Sequence, residues 1–159
     1  MKIKILPVSL FPAAVVLAAI AFAAPPQARC AEAEKTVVII SRDTLKFDVT
    51  RIEASPGQAL HVRLQNEGTL PKEVMGHNWI LLDSDAEAAP YAAAAVGARS
   101  TGYEPPALAS HVLAAIALLG PRQVGDATFQ APIAPGKYPC ICSFPGHAAA
   151  GMRGELIVK

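Results

Sequence analysis

Beyond residue 35 the sequence alternates. Leu45, Phe47 and Val49 are interleaved with Lys46, Asp48 and Thr50, and Leu60, Val62 and Leu64 with His61, Arg63 and Gln65. Only an extended strand sends successive side chains to opposite faces, so a period of two commits the chain to sheets with one dry and one wet face. Thr36 to Ile40, Trp79 to Leu82, His111 to Leu119, Ala127 to Ala131, Lys137 to Cys142 and Glu155 to Lys159 add apolar or alternating runs of strand length. Pro56-Gly57, Gly120-Pro121 and Pro135-Gly136 supply turns between them. Seven or eight short strands over about 125 residues predict an all-β fold, an antiparallel sandwich or barrel. The stretch DAEAAPYAAAAVGA at 85–98 breaks the rhythm. Rich in Ala and with acids at its front, it predicts one short helix between strands despite Pro90.

A chain of 159 residues suits one domain. Its 14 Lys and Arg face 13 Asp and Glu with no long run of like charge, which excludes the electrostatic footprint of a nucleic-acid binder. The start has a different character. Lys2 and Lys4 precede an uncharged apolar run from Ile5 to Ala24, with small-residue sites at Ala21-Phe22-Ala23 and Ala31-Glu32-Ala33. This layout predicts an export signal cut between residues 23 and 33, leaving 1–33 as signal peptide and short linker and 34–159 as the folded domain. The run is long enough to span a bilayer, although Pro7 and Pro12 disturb a helix there, so a membrane-anchored form follows if cutting fails. Without residues 1–31 the chain keeps 11 basic and 13 acidic residues, a nearly neutral protein destined for the periplasm.

Three cysteines in an exported chain suggest a disulfide and a spare. Their positions argue otherwise. Cys30 lies in the segment to be processed, and a lipid attachment there would want small residues where the chain has Gln27, Ala28 and Arg29. Cys140 and Cys142, two apart on a strand, point to the same face and cannot readily bridge each other.

The sequence CSFPGHAAAGM at 142–152 places Cys142, His147 and Met152 at intervals of five. A thiolate and imidazole set with a weak axial thioether is the ligand set of blue copper electron-transfer sites. The further imidazole is His77 in LPKEVMGHNW, distant in sequence but able to meet the loop if both lie at one end of a sandwich. A lone His is more often an ordinary surface or core residue, and a lone Cys a small buried apolar one. Here their order, their spacing and the loop glycines agree with one another.

On these motifs the stretch from about residue 33 to 159 resembles the cupredoxin family, and within it the azurin-like small blue copper proteins. LPKEVMGHNW and CSFPGH are similar to the two ligand motifs, and LLGPRQVGDATF and APGKYPC to the segments between them. The resemblance implies an eight-stranded Greek-key β-sandwich with one copper ion near one end. It implies His77, Cys142 and His147 in a trigonal plane, Met152 as axial ligand and the Gly76 carbonyl as a weak one. Asn78 and Ser143 would tie the two ligand-bearing loops together, with the Phe144 amide donating toward the thiolate sulfur. His77, ahead of a buried strand, would be the enclosed imidazole, and His147, behind Pro145-Gly146, the more exposed one and the electron exit. Met75, Pro71, Phe144, Pro145, Gly146 and Ala148 to Ala150 would form an apolar collar suited to transient docking. Cys140 would be a buried free thiol at an apolar core position of the family, and Trp79 core packing.

The chain departs from the azurin pattern in two places. Azurins have three residues between the second histidine and the methionine, whereas Ala148, Ala149, Ala150 and Gly151 make four here, as in auracyanins. The azurin disulfide is lost, Ser55 and Pro56 standing where the family has an early cysteine, so stability falls to the core.

The predicted function is an exported, monomeric one-electron carrier that cycles between Cu(II) and Cu(I) among transient redox-protein donors and acceptors. It is not predicted to be an enzyme: no Ser/His/Asp order, phosphate loop or paired-carboxylate motif rises above chance. A copper-delivery protein in metal homeostasis is the alternative, although such proteins often expose extra Met or His and this chain has three Met, one of them the initiator. A nitrite reductase domain needs a second copper site, and of the four histidines His61 and His111 are predicted to face solvent.

Overall fold

The computed structural model describes residues 33–159; the predicted export segment and Cys30 lie outside them. In chain order the strands are β1 (Lys35–Arg42), β2 (Lys46–Phe47), β3 (Arg51–Ala54), β4 (Ala59–Asn66), β5 (His77–Leu82), β6 (Val112–Leu119), β7 (Val124–Gln130), β8 (Gly136–Ile141) and β9 (Arg153–Val158). A single turn of helix, α1 (Lys72–Met75), precedes β5, and α2 (Asp85–Ala95) follows it, with 3-10 turns at Arg99–Thr101 and Pro106–His111 leading into β6. The strands form two sheets, β2-β1-β4-β7 and β3-β9-β8-β5-β6. The all-β sandwich with one excursion helix is therefore present.

Two details differ from the expected pattern. β1 pairs with β4 and β3 with β9 in parallel, where a wholly antiparallel arrangement was expected. The cause is the path of the chain. It leaves the first sheet after β2, contributes β3 to the second sheet, and returns to lay β4 alongside β1 in the same direction. The strand expected over Leu45 to Val49 pairs only at Lys46–Phe47, and Arg51–Ala54 becomes a strand of its own in the other sheet.

Alternation decides what the sheets bury. In β4 every second side chain is buried, with Leu60, Val62 and Leu64 fully enclosed and His61, Arg63 and Gln65 on the wetter face. Leu60, Val62 and Leu64 share the core between the sheets with Ile39, Trp79, Leu81, Ile116, Cys142, Met152 and Leu156. β5 is buried along its whole length because it is dry on both faces. Trp79 and Leu81 face the inter-sheet core, while Ile80 and Leu82 are covered by Ala88 and Tyr91 of α2. Enclosing each such large side chain contributes about 1.5–3 kcal/mol, the source of stability left to a domain without the azurin disulfide. Ser84 caps α2 by accepting the Ala86 N–H at 3.2 Å, and Asp85 and Glu87 lie in its first turn, where negative charge suits the helix dipole.

Candidate metal centre

The register of the β5–β8 pair brings the two halves of the centre together. Ile80 lies opposite Ile141 and Leu81 opposite Cys140, antiparallel, so the start of β5 and the end of β8 share one end of the sandwich. Continuing that register beyond the strand sets Asn78 opposite Ser143, and their side chains make the junction. The Ser143 amide donates to Asn78 Oδ1 at 2.7 Å, Asn78 Nδ2 donates to Ser143 Oγ at 2.7 Å, and Ser143 Oγ donates to the Tyr103 carbonyl at 2.6 Å. Both side chains are buried. Between His77 and Trp79 the pairing with β6 slips, an irregularity of the kind that re-aims side chains next to functional sites. Gly76 is required just before it: a β-carbon there would stand 2.6 Å from the Lys72 carbonyl and 3.0 Å from Leu118.

At this end His77, Cys142 and His147 converge, their ligating atoms all within 4.8 Å of one another. Cys142 Sγ lies 3.4 Å from His147 Nδ1, and the two imidazole rings are 5.1 Å apart between centroids. Met152 joins them from the far end of the loop. Its side chain is fully buried in the same apolar cluster as Cys142, and its carbonyl accepts the Cys142 N–H at 3.0 Å. His77 is 0% exposed and His147 4%, so both residues are buried and His147 is the more accessible by a narrow margin. Phe144 covers it, ring centroid to ring centroid 4.5 Å.

Burial sets the protonation of all three donors. It pushes the Cys142 thiol up to about 11, opposed by the Asn78 and Phe144 backbone N–H groups directed at the sulfur. It pushes His147 down to about 4, with His77 adding to the effect, and lowers His77 in turn. Both imidazoles are thus neutral, with lone pairs free to bind. His77 is the sharper case: among the described residues neither buried ring nitrogen has a partner within hydrogen-bond geometry, and the Arg42 carbonyl is the backbone group that approaches the ring and partly offsets the burial. An unsatisfied buried polar group costs about 1–3 kcal/mol, and a metal ion is the partner that a bare nitrogen beside a sulfur and a second imidazole can accept. The donor chemistry fits copper.

Comparison with known proteins decides the family. Residues 33–159 match the copper binding proteins of the plastocyanin/azurin family. This chain belongs to that family. The cupredoxin is 38% identical over 140 residues to azurin of Bordetella pertussis, covering 86% of this chain and 89% of that one. It is 37% identical over 118 residues to auracyanin-A of Chloroflexus aurantiacus, covering 74% and 69%. Among solved structures it is similar to dithionite-reduced auracyanin of Roseiflexus castenholzii, with a TM-score of 0.71, 30% identity, and 80% and 99% of the two chains covered. The cofactor of this cupredoxin is copper, with His77, Cys142 and His147 as the candidate ligand group and Met152 nearby.

The remaining predicted residues fall as follows. Pro71 and Gly146 are exposed and Met75 and Pro145 half-buried, on the two loops that carry His77 and His147. His61 and His111 lie away from the centre, held by Asp126 at 2.8 Å and by Asp83 at 3.2 Å; His111 ends a 3-10 turn instead of opening β6. Cys140 is a buried free thiol, pushed up to about 12 by burial, with the Trp79 indole beside it. Sequence reasoning missed Tyr103. It sits in the left-handed region at φ 66°, uncommon for a bulky residue, and there it offers its carbonyl to Ser143 and packs edge-to-face with Phe144, ring centroids 4.9 Å apart. Its only sequence signal is the preceding Gly102, which marks a turn without saying what the turn holds.

Proposed function

We propose that this cupredoxin is a periplasmic one-electron carrier, made with a signal peptide and short linker at residues 1–33 and working as the monomeric domain 34–159, without enzymatic activity of its own. In this reading His77, Cys142 and His147 would hold one copper ion, with Met152 as a weak further donor and the Gly76 carbonyl as a weaker one. Bound there, copper supplies a couple between Cu(II) and Cu(I). The observation that carries the reading is the convergence of His77, Cys142 and His147, their ligating atoms within 4.8 Å of one another and all three side chains buried.

The chain's own groups serve the exchange by holding still. The Asn78, Ser143 and Tyr103 bonds lock the two ligand-bearing segments to each other, so donors keep their places as the charge of the centre changes. Two backbone N–H groups aimed at the Cys142 sulfur stabilise its thiolate, and burial of all four side chains excludes water. His147, nearest the surface, is the exit. The apolar rim of Pro71, Met75, Pro145 and Gly146 suits brief encounters with redox proteins, which use small interfaces.

Copper added to the purified domain should give an intense visible thiolate band that dithionite bleaches, and Cys142→Ser should abolish it. A Cys142→Ser protein that keeps the same coloured, reducible centre would overturn the reading. Passage of Cu(I) to an acceptor faster than electrons exchange would instead assign the protein to copper delivery.

A further inference from the structure

Between His147 and Met152 the chain makes one turn of helix and stops it. The Met152 N–H donates to the His147 carbonyl at 2.9 Å and the Gly151 N–H to the Ala148 carbonyl at 3.0 Å. These are the two bonds of a Schellman stop, and Gly151, at φ 92°, occupies the left-handed position that the stop requires. The four intervening residues are thus the length of a closed turn. A third bond, from the Ala150 N–H at 2.9 Å, takes the Gly146 carbonyl. The stop leaves the Ala150 carbonyl with no donor from its own turn, as helix ends do.

Lys46 supplies the missing donor. Its Nζ lies 2.7 Å from the Ala150 carbonyl, across 104 residues of sequence. The β1–β2 hairpin aims it there. Leu45 closes the turn onto Arg42 in the left-handed region at φ 58°, and Phe47, 3% exposed, anchors the next position in the core, so alternation sends Lys46 outward beside the loop. Gly151 leaves room for it: a β-carbon at that position would stand 2.5 Å from Lys46 Nζ. The ammonium therefore occupies the space that the glycine's missing side chain vacates.

We propose that Lys46 is a positioning residue of the metal centre. By holding the Ala150 carbonyl it fixes the turn that spaces His147 from Met152, and it sets a positive charge against the ligand loop, which favours the less positive, reduced state of the centre. The assignment rests on the reading of His147 and Met152 as donors to copper.

The test compares Lys46→Met, which keeps length without the donor, and Lys46→Arg, which keeps charge and donor, with the natural chain. In the copper-free proteins, amide exchange at Gly151 and Met152 should be about tenfold faster in Lys46→Met and restored in Lys46→Arg, the size expected for one charge-assisted bond. In the copper-loaded proteins, Lys46→Met should show a shifted thiolate band and a lower reduction potential, with the difference in potential shrinking as salt is added and Lys46→Arg restoring both. Exchange, band and potential all unchanged in Lys46→Met would overturn the proposal, and so would Lys46→Arg behaving like Lys46→Met. Amide exchange needs no copper, so a failure of the natural chain to colour would count against the copper reading while leaving the clip to be judged separately.

Discussion

At Glu104 and His77 one cause, burial, acts on groups of opposite charge. It raises the carboxyl and lowers the imidazole, in each case favouring the neutral form. For His77 a metal removes the cost. Glu104, half-buried beside Tyr91, has no such use, so its charge opposes folding. Because its folded value lies above the ordinary 4.5, the stability linked to its proton is complete below that pH and is lost as pH rises through the raised value. Glu104→Gln should therefore raise the thermal midpoint of the copper-free domain at pH 8 by about 2 °C, allowing for partial exposure, and leave it unchanged at pH 4. Residues of this kind are poorly legible in sequence. His77, Cys142, His147 and Met152 could be read as a set because each has distinctive chemistry and three share a fixed spacing. Tyr103 and Lys46 could not, because each acts through a main-chain carbonyl or an ammonium that meets its partner only after folding.

Among the elements, α2 was legible and β3 was not. Asp85–Ala95 is Ala-rich, begins with acids and carries its own cap at Ser84, so local interactions suffice to specify it. Ser84→Ala should cost about 1 kcal/mol in urea denaturation and leave the visible band unchanged, since Ser84 caps the start of α2 just past Leu82, at the opposite end of β5 from His77. β3 has only four residues, two of them charged, and owes its existence to parallel pairing with β9, some hundred positions later. The same holds for α1, one uncapped turn whose role is to deliver Gly76 to the start of β5. The extra residue between His147 and Met152 was visible as a count. Its meaning, a helical turn with a Schellman stop, needed the hydrogen bonds.

For the whole molecule, the centre and the fold share their free energy. Cys142 and Met152 belong to the same apolar cluster as Leu60, Val62 and Leu64, so anything that binds the folded centre stabilises the sandwich. Copper at a hundred times its dissociation constant should add about 2.7 kcal/mol and raise the thermal midpoint in a concentration-dependent way, and a chelator should reverse the gain. A midpoint that ignores copper would mean that the folded chain does not bind the ion in preference to the unfolded one.

The alternation of Leu60, Val62 and Leu64, the turns, and the Cys142-His147-Met152 spacing were enough to specify sheets, a sandwich and a metal, because side-chain period and donor type are properties of neighbouring residues. The strand order, the two parallel pairs, the enclosure of His147 and the reach of Lys46 to Ala150 depend on which distant segments the core draws together. Hydrophobic burial is non-directional, so the pattern says which faces must be dry but leaves their pairing to the packed whole.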